Sequence, residues 1–94
     1  MIKHVVMWKF KPGTQEKMME FVNGLRGLYG VIPQIKEQEV GVDCGPEGNY
    51  HAVLISLFAS MVELEVYKND PRHLAVAQLC KEIREDRVCV DFEC

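Results

Sequence analysis

The chain has 94 residues, 48% of them hydrophobic and 27% charged, a composition that excludes a disordered or collagen-like chain. That length holds one domain, residues 1–94, with no room for a second core; such a chain buries only about 60–65% of its unfolded surface, so a lone monomer is marginally stable. Eleven Lys and Arg against fourteen Asp and Glu leave a net charge of −3, the wrong sign for a protein that neutralises nucleic-acid phosphates.

The longest apolar runs, Ala52-Val53-Leu54-Ile55 among them, reach four residues, far short of the ~20 that span a bilayer. The N-terminus shows neither the apolar length nor the small-residue cleavage site of a signal peptide. A cytoplasmic protein is expected, with no membrane and no nucleic-acid partner. Cys44, Cys80, Cys89 and Cys94 contain no Cys-x-x-Cys pair. They read as free thiols or small buried hydrophobes, and no metal site is expected from them.

The first strand is expected over residues 2–11. Ile2, His4, Val6, Trp8 and Phe10 alternate with Lys3, Val5, Met7, Lys9 and Lys11. Pro12-Gly13 ends it, and Thr14 is the expected N-cap of a helix running to about residue 29. Met18, Phe21, Val22, Leu25 and Leu28 form that helix's apolar stripe, and Gly30 suits its stop. Gly24 and Gly27 weaken it by ~1 kcal/mol each, so it depends on tertiary packing. A polar second strand follows over 35–42, whose Lys36, Glu37 and Glu39 suit a sheet edge.

The third strand is expected over 50–58. Its two alternations, His51-Val53-Ile55-Leu57 and Tyr50-Ala52-Leu54-Ser56-Phe58, are both apolar. Ser60 and Glu63 make a capping box for a short helix to about residue 68. Asp70 and Pro71 then suit the N-cap and first position of a third helix, to about residue 85, with His73, Val76, Leu79, Cys80 and Ile83 on one side. A last strand over 87–93 alternates Val88, Val90 and Phe92 against Cys89, Asp91 and Glu93.

The order strand-helix-strand-strand-helix-helix-strand predicts an α+β, ferredoxin-like antiparallel sheet with the first and third strands central. The face bearing His4 and His51 is expected under the helices. The other face, with Val5, Met7, Tyr50, Leu54 and Phe58, is too apolar for water. A homodimer packed through that face is expected.

All three histidines then fall near one another. His4 and His51 project toward the helices, His73 lies in the first turn of the third helix, and Asp91 is placed to reach His4. With Val6, Trp8, Val53, Phe21 and Leu25 they outline an apolar pocket with a few polar groups, suited to a small apolar or carbonyl-containing ligand. Desolvation and a helix N-terminus both disfavour imidazolium, so His73 is expected to be neutral and able to accept a proton. Tyr67 could donate to an oxygen gaining charge, and Asp91 could fix the tautomer of His4. No cofactor is required.

The opening Ile2-Lys3-His4-Val5-Val6-Met7-Trp8-Lys9-Phe10-Lys11, then Ile32-Pro33, Tyr50-His51 and Asp70-Pro71-Arg72-His73, resemble the stress-responsive dimeric α/β-barrel (Dabb) family. The resemblance implies ferredoxin-like protomers paired into a barrel, and a ligand-binding or stress-response role with no assigned reaction. Plant polyketide cyclases of this family, which form olivetolic acid without a cofactor, imply a second reading. There His73 is the base of a cyclase, lyase or isomerase, Tyr67 steadies the substrate oxygen, and His4, His51 and Asp91 support them. Lys68 and Asn69 stand where those cyclases line an alkyl pocket with aliphatic residues, Leu25 stands for a tyrosine and Arg84 for a tryptophan, so the likeness does not extend to a long-alkyl substrate. Some plant relatives hold magnesium on backbone carbonyls of the loop matching residues 29–35. The wider dimeric ferredoxin-like group adds a third reading, a monooxygenase recruiting Trp8, His51 or His73.

Overall fold

The computed structural model describes residues 1–94. Its elements are β1 (Ile2–Phe10), α1 (Gln15–Arg26), β2 (Glu37–Val42), β3 (Ala52–Phe58), α2 (Met61–Asn69), α3 (Pro71–Ile83) and β4 (Arg84–Glu93). The four strands form one antiparallel sheet in the order β2-β3-β1-β4. This is the ferredoxin-like fold, with β1 and β3 central and the polar β2 at an edge. No helix is long and apolar enough to cross a membrane.

The helices begin where short polar side chains can satisfy their free N–H groups. Ser60 Oγ accepts from the Glu63 amide at 3.3 Å and opens α2. Asp70 ends α2 and starts α3, accepting from the Arg72 amide at 2.8 Å, with Pro71 at the first helical position. Thr14 holds the expected N-cap position of α1, but its side chain makes no capping bond. Gly13 turns the chain with φ +77°, and the Thr14 hydroxyl donates back to the Lys11 carbonyl at 2.6 Å rather than capping α1. Helix α1 also stops at Arg26 rather than near Tyr29, because Gly24 weakens its last turn and Gly27 stands at its C-cap. Gly24 serves the packing: a Cβ there would lie 3.1 Å from Val76 Cγ1 on α3, so the two helices approach closely.

The helices cover one side of the sheet. Met18, Phe21, Val22 and Leu25 of α1, Leu64 and Tyr67 of α2, and Cys80 and Ile83 of α3 close over Ile2, Val6, Trp8 and Phe10 of β1. Cross-strand partners share a face, and β1 pairs with β3 as Ile2–Phe58, His4–Ser56, Val6–Leu54 and Trp8–Ala52. The helix-facing side of β3 is therefore Ala52, Leu54, Ser56 and Phe58, all buried. This reverses the expected assignment, which put Leu54 and Phe58 on the outer face and His51 and Val53 under the helices. Both alternations of β3 are apolar, so composition could not choose between them, and the register against β1 did.

The uncovered side carries Val5 and Met7 of β1, Val53, Ile55 and Leu57 of β3, and Val88, Val90 and Phe92 of β4. Met7 is 40% exposed, Val90 56% and Phe92 45%. An apolar strip across three adjacent strands is unlike an ordinary protein surface.

Hydrogen bonds from the Arg72 side chain and then its amide hold the Asp70 carboxyl down to about 2. Its folded-state value lies below the ordinary carboxylate value, so its contribution is complete above about pH 4 and is lost as pH falls toward 2. Asp70→Ala should lower the melting temperature at neutral pH, with the gap to the parent protein narrowing across that acid window in circular-dichroism melts.

Candidate functional site

Between the sheet and the helices α2 and α3 lies a cavity of about 330 Å³. His4, Val6 and Trp8 enter it from β1, Phe21 and Leu25 from α1, and Tyr67 and His73 from the α2–α3 break. These seven are candidates expected from the sequence, and the fold brings them together. Asp91 joins them through His4, whose Nδ1 lies 2.5 Å from Asp91 Oδ1. The pairing of β1 with β4 sets these two residues directly opposite each other.

His51 and Val53 do not belong to this cavity. Val53 lies on the uncovered sheet face, opposite Met7. His51 precedes β3 at the far end of β1, where its Nδ1 accepts the Phe10 amide at 2.9 Å and its ring stacks on Phe10, centroids 6.1 Å apart. It borders a separate, more polar cleft of about 420 Å³ with Lys9, Lys11, Asp43 and Glu85. That cleft holds few apolar groups and none of the other histidines.

The polar end of the cavity is ordered by carbonyl and carboxylate acceptors. His73 Nδ1 is 3.1 Å from the Lys68 carbonyl oxygen. A carbonyl only accepts, so Nδ1 carries the hydrogen and Nε2 keeps its lone pair. That bond exists because α2 ends one turn before His73 and leaves the Lys68 carbonyl free. The same logic applied to Asp91 leaves the second nitrogen of His4 as an acceptor. Tyr67 packs between the two imidazoles, 4.4 Å from His73 and 6.4 Å from His4 by ring centroids. The buried side-chain oxygen without a partner is Ser56 Oγ; Tyr67 lines the cavity, and its hydroxyl makes no hydrogen bond within the chain.

Burial governs the ionisation of all three groups. It holds His73 below its ordinary value against the opposing bond from Lys68, with neighbouring His4 and Arg87 adding to the depression. Burial likewise lowers His4, outweighing the Asp91 bond that favours imidazolium. It raises the Tyr67 phenol far above its usual range, so the hydroxyl stays protonated and able to donate.

Two places in the fold offer donors that bear on a bound ion. His4 Nδ1, Cys89 Sγ and Asp91 Oδ1 lie within 4.8 Å of one another, but the first and last are joined by a hydrogen bond that a metal would have to break. Cys89 is nearest His4 at 3.7 Å, a proximity that only strand pairing creates. In the loop over 29–35, Arg72 Nη1, whose guanidinium is paired with Asp70, donates to the Val31 carbonyl at 3.2 Å, and the Ile32 carbonyl accepts the Ile35 amide at 3.2 Å.

The model of the stress-responsive A/B barrel domain matches residues 2–94. The chain belongs to the Dabb family. Its solved relatives include a Bacteroides fragilis protein described as dimeric, ferredoxin-like and of unknown function, 28% identical, with TM-score 0.87 over 99% of this chain and 95% of the other. A dimeric ferredoxin-like protein of unknown function from Thermobifida fusca is 24% identical, with TM-score 0.88 over 99% and 90%. The hydroxynitrile lyase of Passiflora edulis is 21% identical, with TM-score 0.83 over 97% and 90%; at that identity the likeness is of fold alone. No curated protein matches this Dabb chain.

The folded state disfavours charge on His73, so the unfolded chain binds its proton more readily. The stability tied to this residue is complete above its ordinary value near 6.5 and is lost as pH falls below it. The melting temperature of the parent protein should therefore fall more steeply than that of His73→Gln between about pH 7.5 and 5, read as the difference between two melting series. Parallel curves would show that His73 titrates as a solvated residue.

Proposed function

We infer that this Dabb protein acts as a homodimer that takes a small carbonyl compound into the helix-side cavity and moves a proton on it without a cofactor. The observation that carries this reading is the state of His73. Its Nδ1 is committed to the Lys68 carbonyl, which leaves Nε2 basic in the same cavity as the protonated Tyr67 hydroxyl.

The chemistry follows from those two groups. His73 Nε2 takes a proton from the carbon next to the carbonyl, and the C–H electron pair forms the enolate. Tyr67 donates a hydrogen bond to the oxygen that gains the charge. The enolate then attacks an electrophile or regains a proton at another atom, and the imidazolium returns the proton it took. Such a sequence serves a cyclase, lyase or isomerase. Positioned acid–base catalysis of this kind supplies about 10²–10⁴-fold in rate. His4, steered by Asp91, sets the polar end on its other side.

The dimer reading is supported by the apolar strip over β1, β3 and β4 and by the dimeric state of the two ferredoxin-like relatives. Packing two such strips face to face removes Val53, Ile55, Val88 and Val90 from water while leaving the helix-side cavities open.

Two measurements test these statements. In sedimentation velocity the parent protein should run as a dimer and the Ile55→Lys, Val90→Lys variant as a folded monomer. A parent protein that stays monomeric at all concentrations would overturn the pairing. Hydrogen–deuterium exchange beside the carbonyl of a panel of small ketones and oxo acids, followed by NMR, should be accelerated by the parent protein. The acceleration should fall about 10²-fold or more in His73→Gln, fall in Tyr67→Phe, and persist in His51→Ala. Saturable binding with no exchange would assign the cavity to ligand binding alone, and exchange that survives His73→Gln would remove His73 as the base.

A further inference from the structure

The cavity just described has a mouth of one charge. Lys68 at the end of α2, Lys81 on α3, Arg84 at the α3–β4 junction and Arg87 on β4 all line it, and none of its fifteen lining residues is an Asp or Glu. Four of the chain's eleven Lys and Arg thus converge on one opening in a protein of net charge −3. The ion pairs of the chain are His4–Asp91, Lys68–Glu65 and Arg72–Asp70. Lys81, Arg84 and Arg87 consequently make no ion pair, and even the Lys68 pair is loose, at 3.7 Å on the surface.

The side chains come from three elements, so this is no solvated face of a single helix. Arg87 pairs across the sheet with Trp8, which places it on the helix-facing side. Its charge is felt at His4, Tyr67 and His73. Behind the rim the walls are apolar: Val6, Trp8, Phe21, Leu25 and Leu54.

We propose that the cavity selects an amphipathic carboxylate, with its apolar body against those walls and its anionic end held by Arg84 and Arg87 with Lys68 and Lys81. This deepens the preceding reading of the same site, since an oxo acid seated this way enters the polar end with its negative charge outward. Low-dielectric walls behind a ring of cations focus the field outward and draw in anions, and guanidinium groups grip a carboxylate through paired N–H donors. A bound anion would also offset the Arg87 field that disfavours the proton on His73, so that the correct ligand strengthens its own base.

The test needs no knowledge of the natural ligand. Two fluorophores of one shape are compared, anionic 8-anilinonaphthalene-1-sulfonate and uncharged N-phenyl-1-naphthylamine, with octanoate and methyl octanoate as competitors. The parent protein should bind the anion about tenfold more tightly, a margin that two partly exposed charge-assisted contacts supply. Octanoate should displace it and the ester should not, and the preference should shrink as salt shortens the screening length. The exposed rim tolerates Arg84→Gln with Arg87→Gln, and this double variant should lose the preference yet keep its binding of the neutral dye. Equal affinity for both dyes, a preference unchanged in the double variant, or no saturable binding of the anion would each overturn the proposal. His73→Gln should keep the preference, so exchange activity that survives in that variant strikes only the proton-transfer reading.

Discussion

Every placement in this protein depends on how β1 is paired. Lying between β3 and β4, it decides through two registers which side chains share the helix-facing side. Pairing with β4 sets His4 against Asp91 and Trp8 against Arg87. Pairing with β3 sets His4 against the small Ser56, flanked by Leu54 and Phe58. A shift of one residue against β4 would turn Asp91 away from the imidazole, and the same shift against β3 would exchange that strand's inner and outer faces.

The second constraint is the break between α2 and α3. One residue, Asp70, closes the first helix and caps the second, so His73 stands in a first turn directly beyond free carbonyls of the preceding helix. The Lys68 carbonyl settles its tautomer. The proline and the capping aspartate, whose evident role is local, thereby set the chemistry of a side chain two residues on. Burial does the rest, keeping both imidazoles below their ordinary values and the Tyr67 phenol protonated.

The sheet is apolar on both faces, and the two faces serve different ends. The inner one closes on the protein's own helices and leaves a cavity where small side chains and the polar groups interrupt the packing. The outer one offers Val90 and Phe92 to solvent, where a second copy can cover them at little conformational cost because the strands are already rigid. In the proposed dimer, a chain of 94 residues would gain by such pairing what its own small core cannot supply.

Much of this was legible in the chain itself. Period-2 alternation in β1, the Ser60 and Asp70 caps, the Asp70-Pro71 break and the order of elements were enough for the ferredoxin-like fold and for the meeting of His4, Asp91, Tyr67 and His73. Those signals are local or topological, and they survive without knowledge of packing. Tertiary structure alone decided which alternation of β3 faces inward, because Val53-Ile55-Leu57 and Leu54-Ser56-Phe58 bury apolar surface about equally well. It also decided that His51 belongs to a different cleft, and that Cys89 lies beside His4. The ring of Lys68, Lys81, Arg84 and Arg87 was likewise invisible in sequence, since charges on three elements become one field only when the fold brings them around a single opening.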